Sequence, residues 1–219
     1  KGTHYPIYNS PEFSEMVYEP TKNIALAFLF MIFPKCEKLK QKMEQGAKFL
    51  DIGCGNGSLI LQLAQAFDNS TFVGIGPDVY GIEFAKTAIA QFELEDRVFV
   101  KNLAGENLTY CEEFDMASMV VTLHEIPPAV REKVVEKAYQ ALKNNGHLLV
   151  LDFPYPKKLE DYRNPKFDYG ILDQFYEICA GSVHLTNEEQ DEILSETGFK
   201  DIQRMAIGKG MFDFITAQK

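Results

Sequence analysis

The sequence has no tryptophan, only four histidines and four cysteines, and 22 basic residues against 32 acidic ones. Each shortage removes a class of function. A net charge of -10 repels a phosphodiester backbone and no basic stripe offsets it, so no nucleic-acid partner is expected. Cys36, Cys54, Cys111 and Cys179 stand far apart, without a C-x-x-C pair or a histidine at metal-ligand spacing. They read as reduced thiols of a cytoplasmic protein, and no metal is expected. The longest apolar run, Ile24 to Phe33, is about half of what a bilayer needs, so it reads as buried helix and no membrane partner is expected. Pro34 and Lys35 end that run without a small-residue cleavage site, which argues against a signal peptide. An opening lysine instead of methionine is read as a trimmed chain, so an upstream domain is allowed for.

What is present, 46% apolar residues in a chain of 219, is enough for one large core. Residues 1–46 read as a helical N-terminal cap. Ser10 with Pro11 can open one helix, Thr21 a second that runs to Pro34, and Lys35 to Gln45 a third that stops at Gly46. From Ala47 short apolar runs alternate with amphipathic helices, the pattern of a doubly wound, mostly parallel α/β sheet. Strands are expected at 48–52, 71–75, 98–101, 115–123 and 147–152, with helices at 59–67, 82–92 and 130–143. Residues 153–185 read as an irregular, aromatic-rich insertion covering a substrate. Thr186 and Glu189 form a capping box, and two short strands, 201–207 and 212–217, close the chain as a hairpin.

The segment Asp51-Ile-Gly-Cys-Gly-Asn-Gly57 ends a strand and opens a helix, where missing side chains let a ligand approach the backbone and the helix N-terminus. Its G-x-G-x-G spacing differs from the G-x-G-x-x-G of dinucleotide sites, with Ser58 where the third glycine would stand, which disfavours a nicotinamide oxidoreductase. The block Phe49 to Ser58 resembles motif I of class I S-adenosylmethionine-dependent methyltransferases. The likeness continues in order through Val73-Gly-Ile75, Phe114-Asp-Met-Ala117, the turn Ala141 to His147, and Gly198-Phe199 before the hairpin. It implies a Rossmann-like seven-stranded sheet with a terminal antiparallel hairpin, S-adenosylmethionine as cofactor and S-adenosylhomocysteine as product. Carried over by position, it assigns cofactor binding to Asp51, Gly53, Gly55, Asn56, Gly57, Gly76, Asp78, Leu103, Ala104 and Thr122.

Two positions depart from the family pattern. Gly76 stands where an acidic residue usually holds the ribose hydroxyls, with Asp78 two residues on, and Leu103 or Asn102 stands where an aspartate usually meets the adenine. Two lost polar contacts of about 1 kcal/mol each would weaken cofactor affinity about tenfold or more. The reactive face should follow the fourth and fifth strands. There His124 is the expected base, with Glu125 orienting it or acting itself. Tyr5, Tyr8, Tyr155 and Tyr169 are expected to wall the substrate pocket. The implied activity is methyl transfer to a small molecule, oxygen favoured over nitrogen or carbon, by a chain that could pair as a homodimer. The alternative is a catalytically silent methyltransferase-like subunit that binds a partner protein.

Overall fold

Seven strands, β1 (Lys48–Ile52), β2 (Thr71–Gly76), β3 (Val98–Asn102), β4 (Phe114–Val120), β5 (Leu142–Asp152), β6 (Lys200–Ile207) and β7 (Phe212–Gln218), form one sheet. Its order is β3-β2-β1-β4-β5-β7-β6, with β7 antiparallel to both neighbours and the other pairs parallel. The computed structural model describes residues 10–16 and 18–219. Helices α1 (Pro11–Met16), α2 (Tyr18–Ala27) and α3 (Glu37–Gly46) precede the sheet, and α4 (Ser58–Ala66), α5 (Val79–Gln91) and α6 (Pro128–Ala141) cross between strands. Then α7 (Asp168–Ala180) and α8 (Asn187–Thr197) lead into the terminal hairpin.

Local chemistry sets these boundaries. Asp78 caps α5 by accepting from the Tyr80 backbone N–H at 3.0 Å. Thr186 and Glu189 cap each other's backbone at the start of α8, and Gly198, at φ 109°, ends that helix in a conformation other residues resist. Four expectations need correction. The second helix starts at Tyr18, ahead of Thr21, and continues through a π-helical turn, Phe28–Ile32. The fourth strand stops at Val120, because Val121 turns to φ 52°. The fifth begins earlier, at Leu142. The stretch expected to be irregular holds α7, whose buried residues are Gly170, Gln174 and Glu177 while Leu172, Phe175, Tyr176 and Ile178 are exposed, so no apolar stripe marks its inner face.

Each face of the sheet carries one core. On one, Ala25, Phe28, Ile32 and Phe33 pack with Phe49, Leu63 and Phe72, so the N-terminal helices share a core with the sheet. Phe28 meets Phe214 edge-on at 5.8 Å and Phe33 meets Phe67 at 5.4 Å. On the other face Val134, Val135 and Ala138 of α6 and Leu194 of α8 cover Leu50, Ala117 and Leu148. The carboxyl ends of β1, β2, β4 and β5 are left to form a cleft at the point where strand order reverses.

Candidate active site

The register of β1 on β4 sets Asp51 beside Ser118, whose hydroxyl donates to Asp51 Oδ1 at 2.6 Å. Asp51 is buried and, among the described residues, forms no ion pair with a lysine or arginine. Desolvation pushes its pKa up to about 7 against the Ser118 bond. The chain then turns through Gly53, where a Cβ would lie 2.6 Å from Thr122 Oγ1, and Gly55, where a Cβ would meet nothing within 4 Å. Gly53 is thus required by packing and Gly55 by its φ of 50° alone, since among the described residues nothing would touch a Cβ there. Asn56 Oδ1 accepts from the Ser58 amide and hydroxyl at 3.2 and 2.7 Å, and Gly57 starts α4. The hydroxyl of Thr21 in α2 donates to Ser58 Oγ at 3.1 Å and ties the N-terminal helices to the loop.

At the end of β2 a Cβ on Gly76 would, among the described residues, touch only the backbone nitrogens of Cys54 and Gly55, at an ordinary 3.8 Å, which leaves room for a side chain. The Asn102 amide donates to the Gly76 and Pro77 carbonyls at 3.3 and 3.0 Å and braces that turn. Leu103 packs toward the core instead of the cleft, and Gly105 rather than Ala104 reaches the wall. Val121, a β-branched residue at positive φ, stores about 1–3 kcal/mol of strain and aims Thr122 back at the glycine loop.

These groups surround one cavity of about 420 Å³. Asp51, the glycine loop, Gly76, Asp78 and Thr122 form one end; Glu125, Phe153 and Asp173 form the other; Thr21, Ile24 and Ala25 of α2 make the roof. The roof residues were missed by sequence reasoning, although Thr21 to Phe28 has an apolar face at helical spacing. Tyr5 and Tyr8 lie outside the described residues. Tyr169 faces solvent, and Tyr155 stacks on His184 at 5.4 Å without reaching the cavity wall.

His124 departs most from expectation. It is 1% exposed and is not on the cavity wall, since Asp173 of α7 stands there. Its Nδ1 donates to Asp152 Oδ1 at 2.5 Å, and its Nε2 lies 3.3 Å from Asp173 Oδ2. Burial opposes its charge, but the Asp152 carboxylate and the bonds to both aspartates hold its pKa well above the usual imidazole value. Asp173 also takes His184 Nε2 at 2.9 Å; despite burial, hydrogen bonds from His124 and His184 keep its carboxyl well below the usual range. Buried Arg131 fixes the loop by donating to the carbonyls of Ile126, His124 and Val183 at 3.1, 2.9 and 2.7 Å. No sequence spacing links residues 124, 152, 173 and 184, which is why the group was not legible beforehand.

Residues 50–148 match the family model described as a methyltransferase domain. An uncharacterized methyltransferase of Synechocystis sp. is 26% identical over 174 residues, covering 79% of this chain and 76% of that one. Together these matches support a class I S-adenosylmethionine-dependent methyltransferase. A carboxy-S-adenosyl-L-methionine synthase of Nautilia profundicola is 27% identical, covering 75% of this chain and 74% of its own length. Among solved structures, PigF with S-adenosylhomocysteine superposes with a TM-score of 0.77 at 20% identity, over 97% of this chain. This chain spans 61% of that solved chain.

The cleft fits the family's cofactor on its own features. A buried carboxylate with its pKa raised to about 7 is relieved by a cationic ligand, and S-adenosylmethionine carries an ammonium and a sulfonium. The open space above Gly55 is where a ligand can approach the backbone. Asp51, Gly53, Gly55 and Asn56 line the cavity; Gly57 sits behind it, at the helix start.

Proposed function

We propose that this methyltransferase transfers a methyl group from S-adenosylmethionine to an oxygen of a small, partly apolar acceptor in a cytoplasmic setting. The cofactor would rest on Asp51 and the glycine loop, with Gly76, Asp78 and Thr122 beside it, and the acceptor between α2, Phe153, Glu125 and Asp173. The observation that carries this reading is that one continuous cavity joins buried Asp51 to the two carboxylates.

When bound, the cofactor supplies an electrophilic methyl group on a sulfonium. The chain's own residues do the rest. Ile24, Ala25, Leu59, Val120 and Ile126 give the acceptor an apolar, water-poor wall, which favours a small organic molecule over a charged polymer. Holding the two reactants in one pocket is most of what such a displacement needs. Asp173, its pKa held down by two histidines, accepts a hydrogen bond from an acceptor hydroxyl but is a weak base. Glu125, half-buried on the wall, takes the proton. His124, charged and turned away from the cavity, positions Asp173 and is not itself the base. Oxygen is favoured because a hydroxyl both needs such a base and pairs with carboxylates.

Calorimetric titration with S-adenosylmethionine and S-adenosylhomocysteine, on the wild type and Asp51→Ala, tests the first half. Transfer of labelled methyl to a panel of phenols, alcohols and amines, with Glu125→Gln as control, tests the second. Binding abolished by Asp51→Ala and transfer to hydroxyl compounds lost in Glu125→Gln are expected. Tight cofactor binding with no transfer to any acceptor would return the silent, partner-binding reading.

A further inference from the structure

Beneath α7 two imidazoles and a carboxylate converge on one point. His124 and His184 stack with centroids 4.1 Å apart and planes within 15°. Both ε-nitrogens face a single oxygen, Asp173 Oδ2, at 3.3 and 2.9 Å. We infer that His124 Nε2, His184 Nε2 and Asp173 Oδ2 form a site for a divalent transition-metal ion of the zinc class.

Four observations support the inference. Ligands about 2.0–2.1 Å from a tetrahedral ion stand about 3.3 Å apart, and the two measured edges are 3.3 and 2.9 Å. The third edge, between the histidines, is within 4.8 Å and closes with a small ring rotation. Asp152 accepts from Nδ1 of His124, which leaves Nε2 directed at the ion; an outer carboxylate on the far nitrogen is the usual support of a metal-bound imidazole.

Negative charge is also in excess. Glu125 and Glu177 each bring an oxygen within 4.8 Å of one another and of a His124 ring nitrogen, in addition to Asp152 and Asp173. Arg131, the buried cation next to them, donates to the backbone carbonyls of Ile126, His124 and Val183. A dication replacing the proton at His124 Nε2 would offset that charge. Two nitrogens and one oxygen select a zinc-like ion over magnesium or calcium, which take oxygen cages.

Asp173 lines the cavity while both histidines lie behind it, so the ion would sit behind this carboxylate at the cavity wall. In the transfer reading above, on which this role rests, the ion holds the Asp173 carboxylate fixed toward the acceptor hydroxyl, and Glu125 receives that hydroxyl's proton.

The test is titration of the chelator-stripped chain with zinc chloride, followed calorimetrically, with cobalt(II) as spectroscopic substitute. One ion per chain is expected. Its affinity should fall at least tenfold in His184→Ala, His184→Gln and Asp173→Asn, while both His184 variants keep wild-type S-adenosylhomocysteine affinity as proof of folding. The cobalt spectrum should lack thiolate bands, which excludes capture by the exposed Cys111 and Cys179. Absence of a saturable ion, or an affinity indifferent to all three variants, overturns the site. Zinc bound as expected in a chain that fails to bind the cofactor product leaves the site standing and removes only its catalytic role.

Discussion

At one end of the cavity Asp51, Gly53, Gly55 and Asn56 come from a single stretch of chain, held by one strand, one tight turn and one helix start. At the other end His124, Asp152, Asp173 and His184 come from four separate segments and meet only because β4, β5 and α7 converge. The first end has one buried carboxylate in search of positive charge; the second has carboxylates and imidazoles that hydrogen-bond one another. A local loop can be built to await a ligand, since its backbone is fixed by neighbours in sequence. A cluster assembled from distant segments must also stabilise the fold that brings it together.

The sharpest way to break this comparison is to remove His124. His124→Ala leaves Asp152 as a buried carboxylate without its cation, and a loss of about 3–5 kcal/mol in urea-unfolding free energy is expected. A loss below about 1 kcal/mol would show that the cluster does not support the fold.

Asp51→Asn should behave in the opposite way, weakening S-adenosylmethionine about hundredfold, about 2.8 kcal/mol, without destabilising the chain. The pH dependence has a definite sign. Asp51 has a folded pKa of about 7 against an ordinary 3.8, so the native state holds the proton more tightly than the unfolded one. The wild type therefore loses stability as pH rises from about 4 to about 7, on the order of 4 kcal/mol in all. Asp51→Asn should melt higher than wild type at pH 8 and equal it near pH 4. For the wild type, cofactor affinity should rise with pH up to about 7 and then level, because the cationic ligand selects the ionised carboxylate. Affinity flat across that range would contradict the pairing.

A smaller gain is expected from Gly76→Asp. The space at Gly76 admits a side chain, and the ribose contact it restores should tighten S-adenosylmethionine about tenfold, as read by calorimetry. Unchanged affinity would mean that Asp78 or the Asn102-braced turn already serves the ribose. The smallest effect belongs to the roof. Thr21→Val deletes the bond to Ser58 and should cost about 0.5–1.5 kcal/mol of stability by thermal melting, with a modest rise in cofactor Kd.

Most strands and crossover helices were legible because their apolar runs and turn residues are local: Gly198 ends a helix and the Thr186–Glu189 box starts one wherever they occur. The glycine loop was legible for the same reason. Less so was α7, whose outer residues Leu172, Phe175, Tyr176 and Ile178 are apolar yet exposed, so periodicity gave no inside and outside. His124 was found as a residue but not as a role: its position after β4 is a sequence fact, while its occupation by Asp152 and Asp173 is not.

By itself the sequence determined the α/β alternation, the glycine turn that Gly53 and Gly55 require, and the carboxylate at the end of β1, because each depends on φ, ψ and spacing within a few residues. Only the tertiary structure decided that α2 roofs the cavity, that His124 lies behind Asp173, and that His184 completes the cluster. Those are distances between segments remote in the chain, set by how helices pack on a twisted sheet, and no local energy term in the sequence encodes them.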